Sequence, residues 1–160
     1  MVIFVRHSIK AKDGTTNPPL SPEGEVLALE AAEWIKAQGI EPSIVVTSKW
    51  DRCKQTGRIL SRAFNDCNLI FLGGIPTALE PWNNLIRGQW KAHLQKDREG
   101  AETVILVGSH PTQQFLVREF GAPVIPRRNK AGVFLLEAAP IWGQKWECVG
   151  HWPGRAAGSD

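Results

Sequence analysis

The sequence predicts one α/β domain, a mostly parallel sheet sandwiched between helices. Apolar, β-branched runs of strand length recur along the chain. Between them lie segments with a 3.6-residue apolar period. The two kinds alternate, as strand–helix–strand units require. A length of 160 residues fits one compact unit. Gly and Pro, 15 and 11 residues, are too few for a disordered chain.

The first run, residues 2–5, has no polar alternation and suits a strand buried on both faces. Ser21-Pro22 offers a helix N-cap followed by proline at the first helical position. Leu27, Ala28, Ala31, Ala32 and Ile35 supply the apolar stripe of that helix, and Gly39 its stop. Residues 44–47 read as the second strand. Residues 51–64 read as a helix with Ile59, Leu60, Ala63 and Phe64 on one face. A third strand is expected at 69–72 and a helix at 84–99, carrying Leu85, Ile86, Trp90 and Leu94 and weakened by Gly88. The fourth strand, 103–107, precedes a helix at 111–120 with Gly121 at its end. Residues 132–152 read as two strands around a turn near 140–143, an antiparallel hairpin at the sheet edge. The domain is expected to span residues 1–152, with 153–160 a flexible tail of small and polar residues.

A net charge of +3 excludes a strongly basic nucleic-acid domain and gives no electrostatic reason to expect a membrane surface. No run of 18 apolar residues exists for a membrane span. The apolar run at the N-terminus is too short for a signal peptide. Cys53, Cys67 and Cys148 are odd in number and widely spaced, which argues against a disulfide framework or a cysteine zinc site. A reducing, cytoplasmic setting is the default expectation. Nothing in the sequence demands an oligomer.

Ligands of open α/β sheets bind at the carboxyl ends of the strands. After the first strand comes Arg6-His7-Ser8, after the second Ser48-Lys49-Trp50-Asp51-Arg52. Gly73-Gly74 follows the third, with Thr77 and Glu80 further on, and Gly108-Ser109-His110 follows the fourth. Two His and two Arg therefore collect at one sheet edge, and the helices starting there aim their N–H groups at the same place. This is an anion site with a candidate nucleophile, and its natural ligand is a phosphoryl group. Guanidinium forks bind phosphoryl oxygens bidentately and stay charged. A neutral imidazole attacks phosphorus through one free nitrogen while a hydrogen bond fixes the other.

VIFVRHS, LSPEG, SKWDRCKQT and VILVGSHP, in that order, resemble the histidine phosphatase superfamily. Its pattern is R-H-G after the first strand, an L-[ST]-x-x-G helix start, S-x-x-x-R-x-x-Q-T, and a later His after a strand. The short interval from Arg52 to His110 and the L-E-P near residue 80 are similar to the small SixA-type branch, the phosphohistidine phosphatases. The resemblance implies a three-layer α/β/α sandwich of the phosphoglycerate mutase type. It implies His7 as nucleophile, Arg6 and Arg52 on phosphoryl oxygens, His110 as a further phosphoryl ligand, and no cofactor or metal. It also implies a phosphorylated protein substrate, such as a phosphorelay or carrier domain. Glu80 is the candidate general acid. Imidazole leaves phosphorus far more easily than an alkoxide, so a phosphohistidine phosphatase can dispense with a strong acid.

The usual Gly after the catalytic His is Ser8 here. A serine can occupy many glycine conformations and adds a hydroxyl near the phosphate, and it can also lower the rate or change substrate preference. Two other readings stand beside the first: a phosphomonoesterase for a sugar or nucleotide phosphate, which a functional Glu80 favours, and a phosphoprotein-binding module without turnover. Specificity is expected to lie in residues 75–89 and 127–132. His93 and His151 read as surface residues, and Arg127-Arg128 with Lys130 as a solvated loop or a rim for an acidic partner. Asp51 reads as a first-turn helix residue, and Trp82, Trp90, Trp142, Trp146 and Trp152 as packing.

Overall fold

In the computed structural model, which describes residues 1–94, 103–138 and 146–158, strands and helices alternate through most of the chain. The elements are β1 (Val2–Arg6), α1 (Pro22–Ala37), β2 (Ile44–Thr47), α2 (Asp51–Ala63), β3 (Asn68–Phe71), α3 (Leu79–Leu94), β4 (Val104–Gly108), α4 (His110–Phe120), β5 (Asn129–Lys130), β6 (Val133–Ala138), β7 (Trp146–Trp152) and β8 (Arg155–Ala156). Six strands form one sheet in the order β3-β2-β4-β1-β6-β7. The four strands from β3 to β1 are mutually parallel. β6 runs antiparallel to β1, and β7 antiparallel to β6, so the expected hairpin lies at the edge. Its turn near 140–143 falls outside the described residues.

Side chains alternate across a strand, so an unbroken apolar run must be covered on both sides. Ile3 and Val5 pack with Leu27, Ala31 and Ile35 of α1 and Cys53 and Leu60 of α2. Val2 and Phe4 pack with Trp82 and Ile86 of α3 and Phe115 and Leu116 of α4. Two helices thus cover each face of the sheet. On the second face Trp82 meets Phe115, Phe120 and Trp146 with ring centroids 5.5, 5.6 and 6.4 Å apart. The Trp146 indole N–H donates to Asn83 Oδ1 at 2.9 Å, which ties α3 to β7. The packing expectation thus fits Trp82 and Trp146; the side chains of Trp90 and Trp142 are outside the described set.

Several elements depart from the sequence reading. β3 is an edge strand whose Asn68 and Phe71 are exposed, rather than a strand buried on both faces. α3 begins at Leu79, five residues before its expected start, and includes Glu80 and Pro81 in its first turn. Proline is at home there, because first-turn N–H groups have no partner within the helix. The expected continuation of this helix, residues 95–99, lies outside the described residues.

Residues 153–160 read from sequence as a frayed tail. Residues 153–158 instead return to the molecule, and β8 pairs antiparallel with β5. Gly154, at φ +65°, makes this return possible. A Cβ there would run into the Lys130 carbonyl and the Gly132 amide. Arg155 forms an ion pair with Glu30 of α1 at 2.5 Å, and Ala157 N–H donates to Arg128 O. All three cysteines are free. Among the described residues no helix is long and apolar enough to cross a membrane.

Candidate active site

The parallel strands β1, β2 and β4 deliver their carboxyl ends to one rim of the sheet, and the site is built there. Arg6 is the last residue of β1, with its backbone N–H bonded to Gly132 O. His7 N–H donates to Gly108 O at the end of β4. His110 opens α4 directly after β4. Arg52 lies in the first turn of α2, the helix that follows β2. Four residues up to 104 positions apart in sequence thus meet because three strands end side by side.

His7 is buried, with 6% of its surface exposed. Its Nδ1 lies 2.8 Å from Ser8 O. A carbonyl oxygen can only accept, so Nδ1 carries the proton and Nε2 keeps its lone pair. Arg52 Nε–H donates to that lone pair at 3.3 Å. Burial is the main cause that pushes the His7 pKa down to about 3, helped by Arg52, Lys130 and Arg6; the bond to Ser8 opposes it. The imidazole is therefore neutral throughout the physiological range, with its free nitrogen facing a guanidinium.

Arg6 is 2% exposed, and its charge is held by few groups. Its Nη1 donates to Asn129 O at 2.8 Å and weakly to Gln113 Oε1 at 3.5 Å, while its Nε has no partner. Desolvation, then Arg127, lowers its pKa to about 10, so it remains charged at neutral pH. The His110 pKa is also lowered, first by burial and then by Arg6, Arg127 and Lys130, and its Nδ1 is buried without a partner. A buried polar atom without a partner costs free energy. Arg6 Nε and His110 Nδ1 are two such atoms at one rim. The ion pairs Lys36–Glu33, Arg118–Glu119 and Arg155–Glu30 lie elsewhere; no carboxylate among the described residues pairs with Arg6 or Arg52.

The residues around the four explain the spacing of the motifs. Trp50 lies beneath Arg52, with the guanidinium carbon 5.1 Å from the ring centroid, and orients it. Thr56 Oγ1 donates to Arg52 O at 2.7 Å and accepts from Ser8 N at 3.1 Å, which joins α2 to the His7 loop. Gln55 Oε1 accepts from Leu20 N at 2.6 Å. Asn17 Oδ1 accepts from Asp51 N at 2.9 Å and caps α2 in place of Trp50, which makes no side-chain cap. Gly24, in the first turn of α1, lets the helix lie directly on Ile9, whose carbonyl a Cβ would strike. The Q-T of SKWDRCKQT flagged Gln55 and Thr56. Asn129 and Gln113 carried no comparable signal, except that Gln113 follows His110 by one helical turn.

The Ser8 hydroxyl and Glu80 are not brought into the cluster. The Ser8 hydroxyl donates to Gly24 O at 2.6 Å, so it offers the pocket no proton. Ser8 is also absent from the residues with positive φ, so glycine's backbone freedom is not needed at this position. Glu80 is exposed in the first turn of α3, and no hydrogen bond or ion pair ties it to His7, Arg6, Arg52 or His110. Lys130, read from sequence as part of a solvated loop or a rim for an acidic partner, is half-buried on β5, and its charge acts on both histidines.

The profile of the histidine phosphatase superfamily (branch 1) matches residues 2–110. Among solved structures, the SixA protein histidine phosphatase complexed with tungstate is 18% identical, with 94% of each chain covered and a TM-score of 0.70. The putative phosphohistidine phosphatase SixA from Agrobacterium tumefaciens is 20% identical, covering 94% of this chain and 96% of its own, with a TM-score of 0.67. A mycobacterial glucosyl-3-phosphoglycerate phosphatase complexed with VO3 is 14% identical, covering 96% of this chain and 99% of its own, with a TM-score of 0.69. No curated protein sequence matches. The architecture is the phosphoglycerate mutase-like α/β/α sandwich.

Proposed function

Because the chain belongs to the histidine phosphatase superfamily (branch 1), we propose that it is a protein phosphohistidine phosphatase that works through a phosphohistidine intermediate on His7. The observation that carries this reading is the His7 ring itself, neutral, held through Nδ1, with the Nε2 lone pair aimed at Arg52. An incoming phosphoryl group takes the place of that Arg52 contact. Nε2 attacks phosphorus, the bond from phosphorus to the substrate imidazole, protonated on its other ring nitrogen, breaks, and the ring departs neutral with the electron pair. Arg52 and Arg6 take non-bridging oxygens, and His110 adds a donor. Water then attacks the phosphorus on His7, releases phosphate and returns the lone pair to Nε2.

The substrate class rests on the leaving group. An alkoxide needs a proton as it departs, whereas an imidazole departs readily. The exposed position of Glu80, without a contact to the four site residues, supports the easier leaving group. The fold shared with SixA proteins is consistent with it. A small phosphate ester is the second reading, and the fold shared with a glucosyl-3-phosphoglycerate phosphatase favours it. A soluble protein of the cytoplasm, acting on a phosphorelay or carrier domain, is the setting this proposal carries with it.

Phosphate release by wild type, His7→Ala and Glu80→Gln in EDTA, from a phosphohistidine protein and from p-nitrophenyl phosphate, tests the proposal. The expected result is release that His7→Ala abolishes, faster from phosphohistidine, with Glu80→Gln within about threefold of wild type on that substrate. A preference for the ester together with a large loss in Glu80→Gln would move the reading to the phosphomonoesterase. Tight binding of the phosphoprotein without release would move it to a binding module.

A further inference from the structure

The cations at the site outnumber the charges of one phosphoryl group. A dianionic phosphoryl is matched by Arg6 and Arg52, since both histidines are held neutral by their surroundings. Lys130 and Arg127 are additional. Lys130 is placed by the site's own backbone: its neighbour Asn129 accepts from Arg6 Nη1 at 2.8 Å, and its neighbour Ala131 donates its N–H to His7 O. β8 clamps this segment from outside by pairing with β5, and Asn129 Nδ2 donates to Pro153 O at 3.2 Å. The Lys130 side chain is half-buried, and its ammonium donates to the Arg127 carbonyl at 3.4 Å, a long bond. No carboxylate among the described residues pairs with Lys130 or Arg127.

We propose that Lys130 and Arg127 form a second anion subsite beside the phosphoryl pocket, and that it takes a carboxylate lying next to the phosphorylated imidazole of the substrate protein. A half-buried ammonium without a counter-charge is held at a cost, and a second anion relieves it. The electrostatics agree: burial, Arg6 and Arg127 bring the Lys130 pKa down to about 8, the response of a cation crowded by cations. The choice of a protein carboxylate rests on the phosphohistidine reading. The subsite itself rests on the placement of Lys130 and Arg127 and on the lack of a carboxylate partner for either among the described residues.

Two arms separate these parts. In the first, calorimetry measures binding of methylphosphonate and of methylenebisphosphonate, neither of which the enzyme hydrolyses, to wild type, Lys130→Gln and Lys130→Arg. The bisphosphonate should bind wild type about tenfold more tightly than the monophosphonate. Lys130→Gln should remove most of that ratio, and Lys130→Arg should keep it. Urea unfolding of each variant establishes that the comparison is between folded proteins. A ratio that Lys130→Gln leaves untouched overturns the subsite. In the second arm, two phosphohistidine domains differ only in Asp or Asn beside the phosphorylated residue. Wild type should prefer the Asp form by several-fold in kcat/KM, and Lys130→Gln should lose the preference. Equal rates on the two forms overturn the carboxylate assignment. If wild type hydrolyses neither domain, the function reading fails, and the phosphonate ratio still decides the subsite.

Discussion

Acidification from pH 7 to pH 5 is the perturbation to which His7 responds most. In the folded chain burial holds its pKa at about 3, against about 6.5 in an unfolded chain. Between those values the unfolded chain takes up a proton that the folded chain refuses. The stability contributed by neutral His7 is therefore complete above about pH 6.5 and is lost progressively as pH falls toward 3. For one such group the loss between pH 7 and pH 5 is about 2 kcal/mol. Urea unfolding of wild type and His7→Gln at both pH values isolates it, because the other titrating groups are common to the two chains. Wild type should lose about 2 kcal/mol more than His7→Gln. Equal losses would refute the neutral, buried imidazole, and with it the free Nε2 lone pair on which the chemistry depends.

Arg52→Lys keeps the charge but loses the planar fork and its stacking on Trp50, and kcat/KM should fall by about a hundredfold in a phosphate-release assay. Gly154→Ala places a Cβ against the Lys130 carbonyl at a positive φ; it should destabilise the fold by about 1 kcal/mol or more. The same substitution should lower kcat/KM, because the clamp it disturbs positions the Asn129 carbonyl on Arg6. Asn17→Ala removes the cap of α2 and should cost about 1 kcal/mol in thermal or urea unfolding, with a rise in KM as the first turn carrying Arg52 loosens.

The sequence made most of the fold legible where local pattern and tertiary packing agree. β1, β2 and β4 are unbroken apolar runs because both faces are covered, and α1 shows cap, stripe and stop in order. The start of α3 was less legible because the apolar period begins only at Leu85, whereas the first turn holds Glu80 and Pro81, which fit a helix there without contributing to that period. β5 and β8 are two residues each, too short for any period, and their pairing depends on Gly154 rather than on a pattern in either strand. At the candidate site, Arg6, His7, Arg52 and His110 follow from one rule, that chemistry gathers where parallel strands end. Asn129, Gln113 and Trp50 were less legible, since each acts on an arginine that is distant in sequence or oriented only by the fold. The serine after His7 was visible as a departure, but only the folded chain shows that its backbone needs no positive φ and that its hydroxyl donates to Gly24 O.

Rapid quenching of the enzyme during turnover, followed by mass spectrometry of the peptide bearing residues 6–8, tests the central claim most directly. The account predicts a transient phosphoryl group on His7, stable in alkali and lost in acid, and absent from His7→Ala. Phosphate release at an undiminished rate from His7→Ala, or from wild type with the label on another residue, would contradict it.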